Sequence, residues 1–290
     1  MNIIIASSDK NIVEERVLVS SLINSNHYDH EIKIFAADKN KIFNWNRSVI
    51  EKEVQFKDIS LNGSTAFTFA RFLIPLIYYN EDTIVIDPDV LVFQNMSKIF
   101  NDNKKKHGLF MRQAYKKGYW ATSVMAFTKN YFEENLMKKY KKALFSDVFS
   151  KEDKIYFTPK FVNFTGIKIH KISKNWNSFD HIVKKTNLVH FTNLYTQPWV
   201  FKNHPLEYDW VKNATIAYEN KILTDEHINS QLKIKTTFDE GTYAVRSDLK
   251  NLLGNAKKPH LFKKIILYFR MFIKDILFHS PRKYFYSTFL

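Results

Sequence analysis

Two apolar runs, residues 2–6 (NIIIA) and 31–36 (EIKIFA), enclose a segment with the period of a helix. Val13, Val17, Leu18 and Ile23 fall near one helical face, and Ser7, Ser8 and Asp9 in the turn before them are residue types that cap helix starts. Strand, helix and strand in this order make a β-α-β unit. Such alternation predicts an α/β domain with a mainly parallel sheet and flanking helices. In sheets of this kind ligands bind beyond the carboxyl ends of the strands, which puts Ala6, Ser7 and Asp9 on the expected binding side.

A second stretch narrows the chemistry. Residues 83–93 (TIVIDPDVLVF) read as a buried strand, yet two carboxylates, Asp87 and Asp89, stand in the middle. Burying an unpaired carboxylate is costly, so something must compensate it. Pro88 between them has no N–H, so regular ladder pairing should stop there and leave both acids at a strand end. Two acids one residue apart can face one divalent cation, and hard cations such as magnesium or manganese take oxygen ligands, often shared with phosphates. His190 follows apolar Leu188 and Val189 and opens HFTNLYTQPW. As a third ligand it would favour manganese, because imidazole is a borderline donor.

The remaining periodicities complete the outline. Residues 65–79 (TAFTFARFLIPLIYY) form an apolar helix pattern that contains Arg71, and Pro75 should kink or end it. Residues 118–127 read as a strand, 131–145 as a basic amphipathic helix, 157–172 as β-rich and 206–220 as a helix. Residues 176–180 (WNSFD) and 190–199 read as loops dense in functional residue types, among them Asp180. Trp176 and Trp199 are aromatic platforms for sugar rings or core residues. There is no Cys, which excludes disulfides and thiolate metal sites and fits a reducing compartment.

The ordered set IIIASSD, FTFARFLIPLI, IDPDVLVF, ATSVMAF, WNSFD and HFTNLYTQPW resembles the retaining, nucleotide-sugar-dependent glycosyltransferases of family eight and their bacterial relatives. It spans residues 3–199. The resemblance implies a GT-A fold, a Rossmann-like α/β domain over residues 1–256. It implies manganese (or magnesium) held by Asp87, Asp89 and His190 against the diphosphate of a UDP-sugar donor. It further implies donor contacts from Ala6, Ser7, Asp9 and Arg71, and a place for Asp180 beside the acceptor or donor sugar. Arg71 reads equally as a paired buried arginine. Two departures stand out. Where the family carries a Lys before Pro-Trp to meet the diphosphate, this chain has the neutral amide of Gln197, which the resemblance places among the donor contacts. The family's Asp-Gln pair after the VMAF-like strand has no clear counterpart, Glu152-Asp153 being a poor match.

The formal charge is +15, of which residues 257–290, with eight Lys/Arg and one Asp, carry +7. Residues 260–278 (HLFKKIILYFRMFIKDILF) place Phe262, Ile265, Ile266, Phe269, Phe272, Ile273, Ile276 and Leu277 on one half of a helical wheel, opposite Lys263, Lys264, Arg270, Lys274 and Asp275. A basic amphipathic helix rich in aromatics predicts a segment lying in a membrane interface. The alternative is a helix packed on the domain or on a partner subunit. The N-terminus has no basic region before its short apolar run and does not read as a signal peptide. No uncharged apolar run approaches the ~18 residues of a membrane span. The expectation is a cytoplasmic transferase, peripheral on the inner membrane face, acting on a glycan or glycolipid acceptor. Its rivals are a catalytically degenerate, glycan-binding GT-A protein and a nucleic-acid-binding protein. The basic residues favour neither a groove nor interleaved stacking aromatics, which counts against the latter.

Overall fold

The computed structural model describes residues 1–25, 30–54, 66–102, 106–114, 116–192, 197–234, 244–255, 258–259 and 263–269. In chain order the elements are β1 (Asn2–Ser7), α1 (Ile12–Asn24), β2 (Glu31–Ala36), β3 (Lys41–Asn44), β4 (Ile50–Glu53), α2 (Ala66–Ile77), β5 (Thr83–Ile86), β6 (Val90–Val92), α3 (Lys98–Asn101), β7 (Leu109–Gln113) and β8 (Trp120–Phe127). Then follow α4 (Glu134–Phe145), α5 (Lys151–Ile155), α6 (Pro159–Thr165), β9 (Ile169–Lys171), β10 (Ser178–Phe179), β11 (Leu188–His190), α7 (Glu207–Glu219), α8 (Asp225–Leu232) and α9 (Leu249–Leu252). Residues 263–269 are helical.

The main sheet has the order β4-β3-β2-β1-β5-β8-β7-β9. β1 pairs in parallel with both β2 and β5. Six of the eight strands point the same way, and β3 and β8 run against them. Strand alternation sorts side chains onto the two faces. Ile4, Ala6, Phe35, Val85, Met111 and Met125 pack with α2, α4 and α6. Ile3, Ile5, Ile34, Ile84, Ile86 and Val124 pack with Leu18 and Leu22 of α1. A third cluster joins Val13 and Val17 of α1 to Leu91, Val189, Phe191, Trp199 and, on α7, Trp210, Val211, Ala214 and Ala217.

The chain leaves the main sheet after Ile86, passes Asp87-Pro88-Asp89, and enters a separate three-stranded sheet of order β10-β11-β6. The proline marks the seam between the two sheets. Within the small sheet β6 and β11 are antiparallel, with Val90 opposite His190.

Three local expectations are corrected. Residues 157–172 are not β-rich: they hold α6, which starts at Thr158-Pro159 and stops at left-handed Gly166 (φ 76°), with only β9 beyond it. Pro at the first helical position and Gly past the last are helix boundary signals that the aromatic composition masked. The segment 176–180 is not a plain loop, since β10 lies in it, whereas 190–199 leaves β11 at His190 and is loop or turn at its other described residues. Of the two outcomes expected at Pro75, a kink or an end, the end is not found, since α2 runs on to Ile77. The helix is held from outside by Phe69, Phe72, Leu73 and Ile74, all buried in the first core cluster.

The β7–β8 hairpin extends past the end of β5 on the side of Asp87. Its turn uses Gly118 at φ 81°, where an added Cβ would stand 2.9 Å from Pro159 Cγ. Gly118→Ala therefore combines left-handed strain with a clash and should destabilise the protein by about 1–3 kcal/mol. Thermal unfolding checks this, and an unchanged midpoint would contradict it.

Candidate functional site

Asp87 sits one residue past β5, where its N–H donates to Ser123 O of β8 at 3.1 Å. Asp89 sits one residue before β6, and its carbonyl accepts from Phe191 N at 3.0 Å. The β6–β11 register brings His190 to this point, about a hundred residues along the chain. Asp87, Asp89 and His190 are all buried, and one ligand-type atom from each lies within 4.8 Å of the others. Asp87 Oδ1, Asp89 Oδ1 and His190 Nδ1 are buried without a hydrogen bond. His190 Nε2 lies 3.2 Å from Asp89 Oδ1, in ion-pair range.

The compensation that the two acids require comes from three directions. Arg71 Nη1 donates to Asp87 Oδ2, and the guanidinium lies over the Phe72 ring. Gln197 Nε2 donates to Asp89 Oδ2 at 3.2 Å and to Phe191 O at 2.9 Å. His190 is the third partner. Burial is the largest influence on Asp87 and pushes its pKa up to about 6. Asp89 adds to that rise, while Arg71 and His190 oppose it. Burial disfavours charge on His190, yet the carboxylates of Asp89 and Asp87 outweigh it and raise its pKa. Two carboxylates against one guanidinium leave this centre a net −1 with His190 neutral. Two buried carboxylates beside an imidazole form a donor set that fits a divalent cation.

The other sequence-predicted residues fall at different distances from this centre. Ile5 is level with Ile86 across the β1–β5 pair, so Ala6 and Ser7 run alongside Asp87. Both are fully buried, and Ala6 belongs to the core. Asp9 is on the surface, in ion pairs with Lys39 Nζ at 2.6 Å and with Arg47. Arg71 is a paired buried arginine on Asp87. Asp180, at φ 53°, accepts from Thr192 N at 3.0 Å, and its own N–H donates to His190 O at 3.0 Å. It thereby fixes the chain that leaves His190. Trp176 and Trp199 are core residues, not platforms.

Sequence reading missed several residues beside the site. Arg112 Nη1 donates to Asn177 O, and the guanidinium stacks 3.8 Å over Phe179, itself edge-on to His190. Asn177 Nδ2 donates to Ser123 Oγ at 3.1 Å, while Asn177 Oδ1 is buried without a hydrogen bond. On the other flank, Ser8 Oγ donates to Asn11 Oδ1, and Asn11 and Gln231 donate to the two oxygens of buried Glu14. Burial drives the Glu14 pKa up to about 7, and the charge on Asp89 contributes. The available signal was a charged residue inside an apolar run: Arg112 in LFMRQ and Glu14 in IVEERV.

No family model and no curated protein matches the chain. Solved structures do. The apo form of the bifunctional glycosyltransferase WbbM superposes with a TM-score of 0.53 and 12% identity, over 74% of this chain and 49% of that one. Galactosyltransferase LgtC in complex with donor and acceptor sugar analogs gives 0.51 and 14%, over 78% and 98%. The apo form of glycosyltransferase GlyE from Streptococcus pneumoniae TIGR4 gives 0.51 and 14%, over 85% and 65%. The chain thus spans about half of WbbM, just under two thirds of GlyE and nearly all of LgtC. The likeness establishes the fold: it is the GT-A fold expected from the sequence.

A cation at this centre needs Asp87 ionised and His190 neutral. Binding therefore releases protons, and affinity must fall as pH drops through about 6. Isothermal titration with manganese should show affinity at least about tenfold weaker at about pH 5 than at about pH 7.5. A flat profile would exclude these ligands.

Proposed function

We propose that this protein is a divalent-metal-dependent glycosyltransferase that moves a hexose from a UDP-sugar to a surface-glycan or glycolipid acceptor, with retention of configuration. The observation that carries the reading is the convergence of buried Asp87, Asp89 and His190 at the strand ends of a GT-A fold. The similar structures are glycosyltransferases, and LgtC was solved with donor and acceptor sugar analogs.

Asp87, Asp89 and His190 would hold manganese or magnesium, and the bound cation would supply Lewis-acid stabilisation of the leaving diphosphate. Arg71 keeps Asp87 oriented from behind. Ala6 and Ser7 present the carboxyl end of β1 to the nucleotide, next to Asp87. Asp180, fixed between His190 and Thr192, borders the region of the transferred sugar. The acceptor hydroxyl oxygen bonds to the anomeric carbon as the bond from that carbon to the phosphate oxygen breaks. The hydroxyl proton goes to the leaving diphosphate, which departs as UDP, so no protein carboxylate nucleophile is needed.

A degenerate glycan-binding role has one observation in its favour. Gln197, in place of a basic residue, adds no positive charge for a diphosphate, and its amide is already engaged within the protein.

The proposal assigns residues 1–256 to the catalytic domain and the segment 257–290 to membrane attachment. Among the described residues no helix is long and apolar enough to cross a membrane. In helix 263–269, Leu267 is buried and Tyr268 packs on the third core cluster, while Ile265, Ile266 and Phe269 are 56%, 37% and 61% exposed. The apolar half of the wheel is therefore turned outward there. Phe262, Phe272, Ile273, Ile276 and Leu277 lie outside the described residues.

UDP release with manganese, measured against a panel of UDP-sugars, tests the reaction. Asp87→Ala/Asp89→Ala should lower it by at least about a hundredfold, the loss of about 3 kcal/mol of charge stabilisation. No turnover with any donor, together with retained biological function of that variant, would favour the binding role. For the tail, Ile265→Ser/Phe269→Ser should weaken partition onto anionic vesicles by about tenfold or more while leaving UDP release intact. Equal partition of variant and parent would leave the tail as a packing helix.

A further inference from the structure

The two metal-facing carboxylates are held in the same way by different chemistry. Each has one oxygen held by a donor from outside the ligand trio and a second that is not. Asp87 Oδ2 accepts from Arg71 and leaves Oδ1 without a hydrogen bond; Asp89 Oδ2 accepts from Gln197, and its Oδ1 faces only His190 Nε2, at 3.2 Å. The Oδ1 atoms are those left for a ligand. A carboxylate free to rotate would present neither consistently, so the donor behind each one fixes which oxygen faces forward.

The Gln197 side chain has two N–H bonds and no more. Nε2 has two acceptors, Asp89 Oδ2 at 3.2 Å and Phe191 O at 2.9 Å. With both engaged, the amide has no donor left for a phosphate. The side chain is buried, and its position is tied to the ligands on both sides. Phe191 follows His190 directly, and its N–H donates to the Asp89 carbonyl. One amide thus clamps the Asp89 side chain to the main chain next to His190.

Charge distinguishes this clamp from the one on Asp87. Arg71 neutralises the carboxylate that it holds. Gln197 holds Asp89 without adding a positive charge, which preserves the net −1 of the centre. A second cation there would bring the net charge of the centre to zero and weaken its attraction for a divalent ion. We infer that Gln197 is a positioning residue of the metal centre, which fixes Asp89 Oδ1 toward the ion while leaving its charge intact, and is not a contact for the donor's diphosphate. The inference rests on the proposed metal site and adds a residue to it.

The test is manganese affinity of the full chain, read from the electron paramagnetic resonance of free ion. Gln197→Met keeps the length and removes both donors. It should weaken manganese binding by about 10–100-fold, the usual effect of losing a partner behind a metal ligand. Gln197→Asn keeps an amide that is too short to reach both acceptors and should also weaken binding by about tenfold. The metal-free melting midpoint of Gln197→Asn should stay close to the parent's, which separates positioning from a general packing role. If the parent binds manganese and both variants bind within about twofold of it, the inference is overturned while the metal site stands. If the parent itself does not bind manganese, the metal site falls and the inference with it.

Discussion

The pairing of β6 with β11 is the constraint on which the site depends. It is a short antiparallel ladder with three residue pairs, Val90–His190, Leu91–Val189 and Val92–Leu188. Its register places His190 against the strand that Asp89 leads into, and a slip of one residue would set an apolar Val189 there instead. The slip is resisted by the cores on both sides. Leu91 and Val189 are buried in one cluster and Val90, Val92 and Leu188 in another, so misregistry would turn every one of these side chains to the wrong face.

That ladder depends in turn on Pro88. A residue able to donate an N–H at that point could have prolonged the main sheet. The proline instead releases the chain between two sheets, and Asp87 and Asp89 occupy the seam with their backbones anchored to β8 and to the strand containing His190. Neither acid is in a strand, yet each is held by one. The rigidity that the proposed metal site needs is supplied by the apolar flanks TIVI and VLV, which are buried throughout.

The polar groups of the site show why burial and charge coexist here. Breaking a buried ion pair by removing one partner costs about 3–5 kcal/mol, because the remaining charge is left stranded. Arg71, Gln197 and His190 prevent this for the two aspartates, and Gln231 and Asn11 do the same for Glu14 on the neighbouring flank. The compensation is incomplete at Asp87 Oδ1 and His190 Nδ1, which are buried without a hydrogen bond, and Asp89 Oδ1 has only the imidazole Nε2 of His190 at 3.2 Å. The centre differs from an ordinary buried salt bridge in this respect.

Local signals in the chain determined most of the scaffold. Short apolar runs marked β1, β2 and β5, a 3.6-residue period marked α1 and α7, and the placement of Pro88 made Asp87 and Asp89 residues of a strand end. Where composition outweighed boundary signals, as at α6, the local reading failed. Tertiary structure decided which donors stand behind the acids. Gln197 lies 108 positions from Asp89, and nothing in its own neighbourhood reveals that its amide would be spent on that carboxylate. Likewise Arg71 could face a ligand or an acid until the fold set it beside Asp87, and Trp176 and Trp199 could face sugar or core until the core closed around them. The reason is physical. Periodicity reports which face of an element is buried, whereas the partner of a polar group is set by long-range packing, where satisfying each buried donor and acceptor selects one arrangement from many.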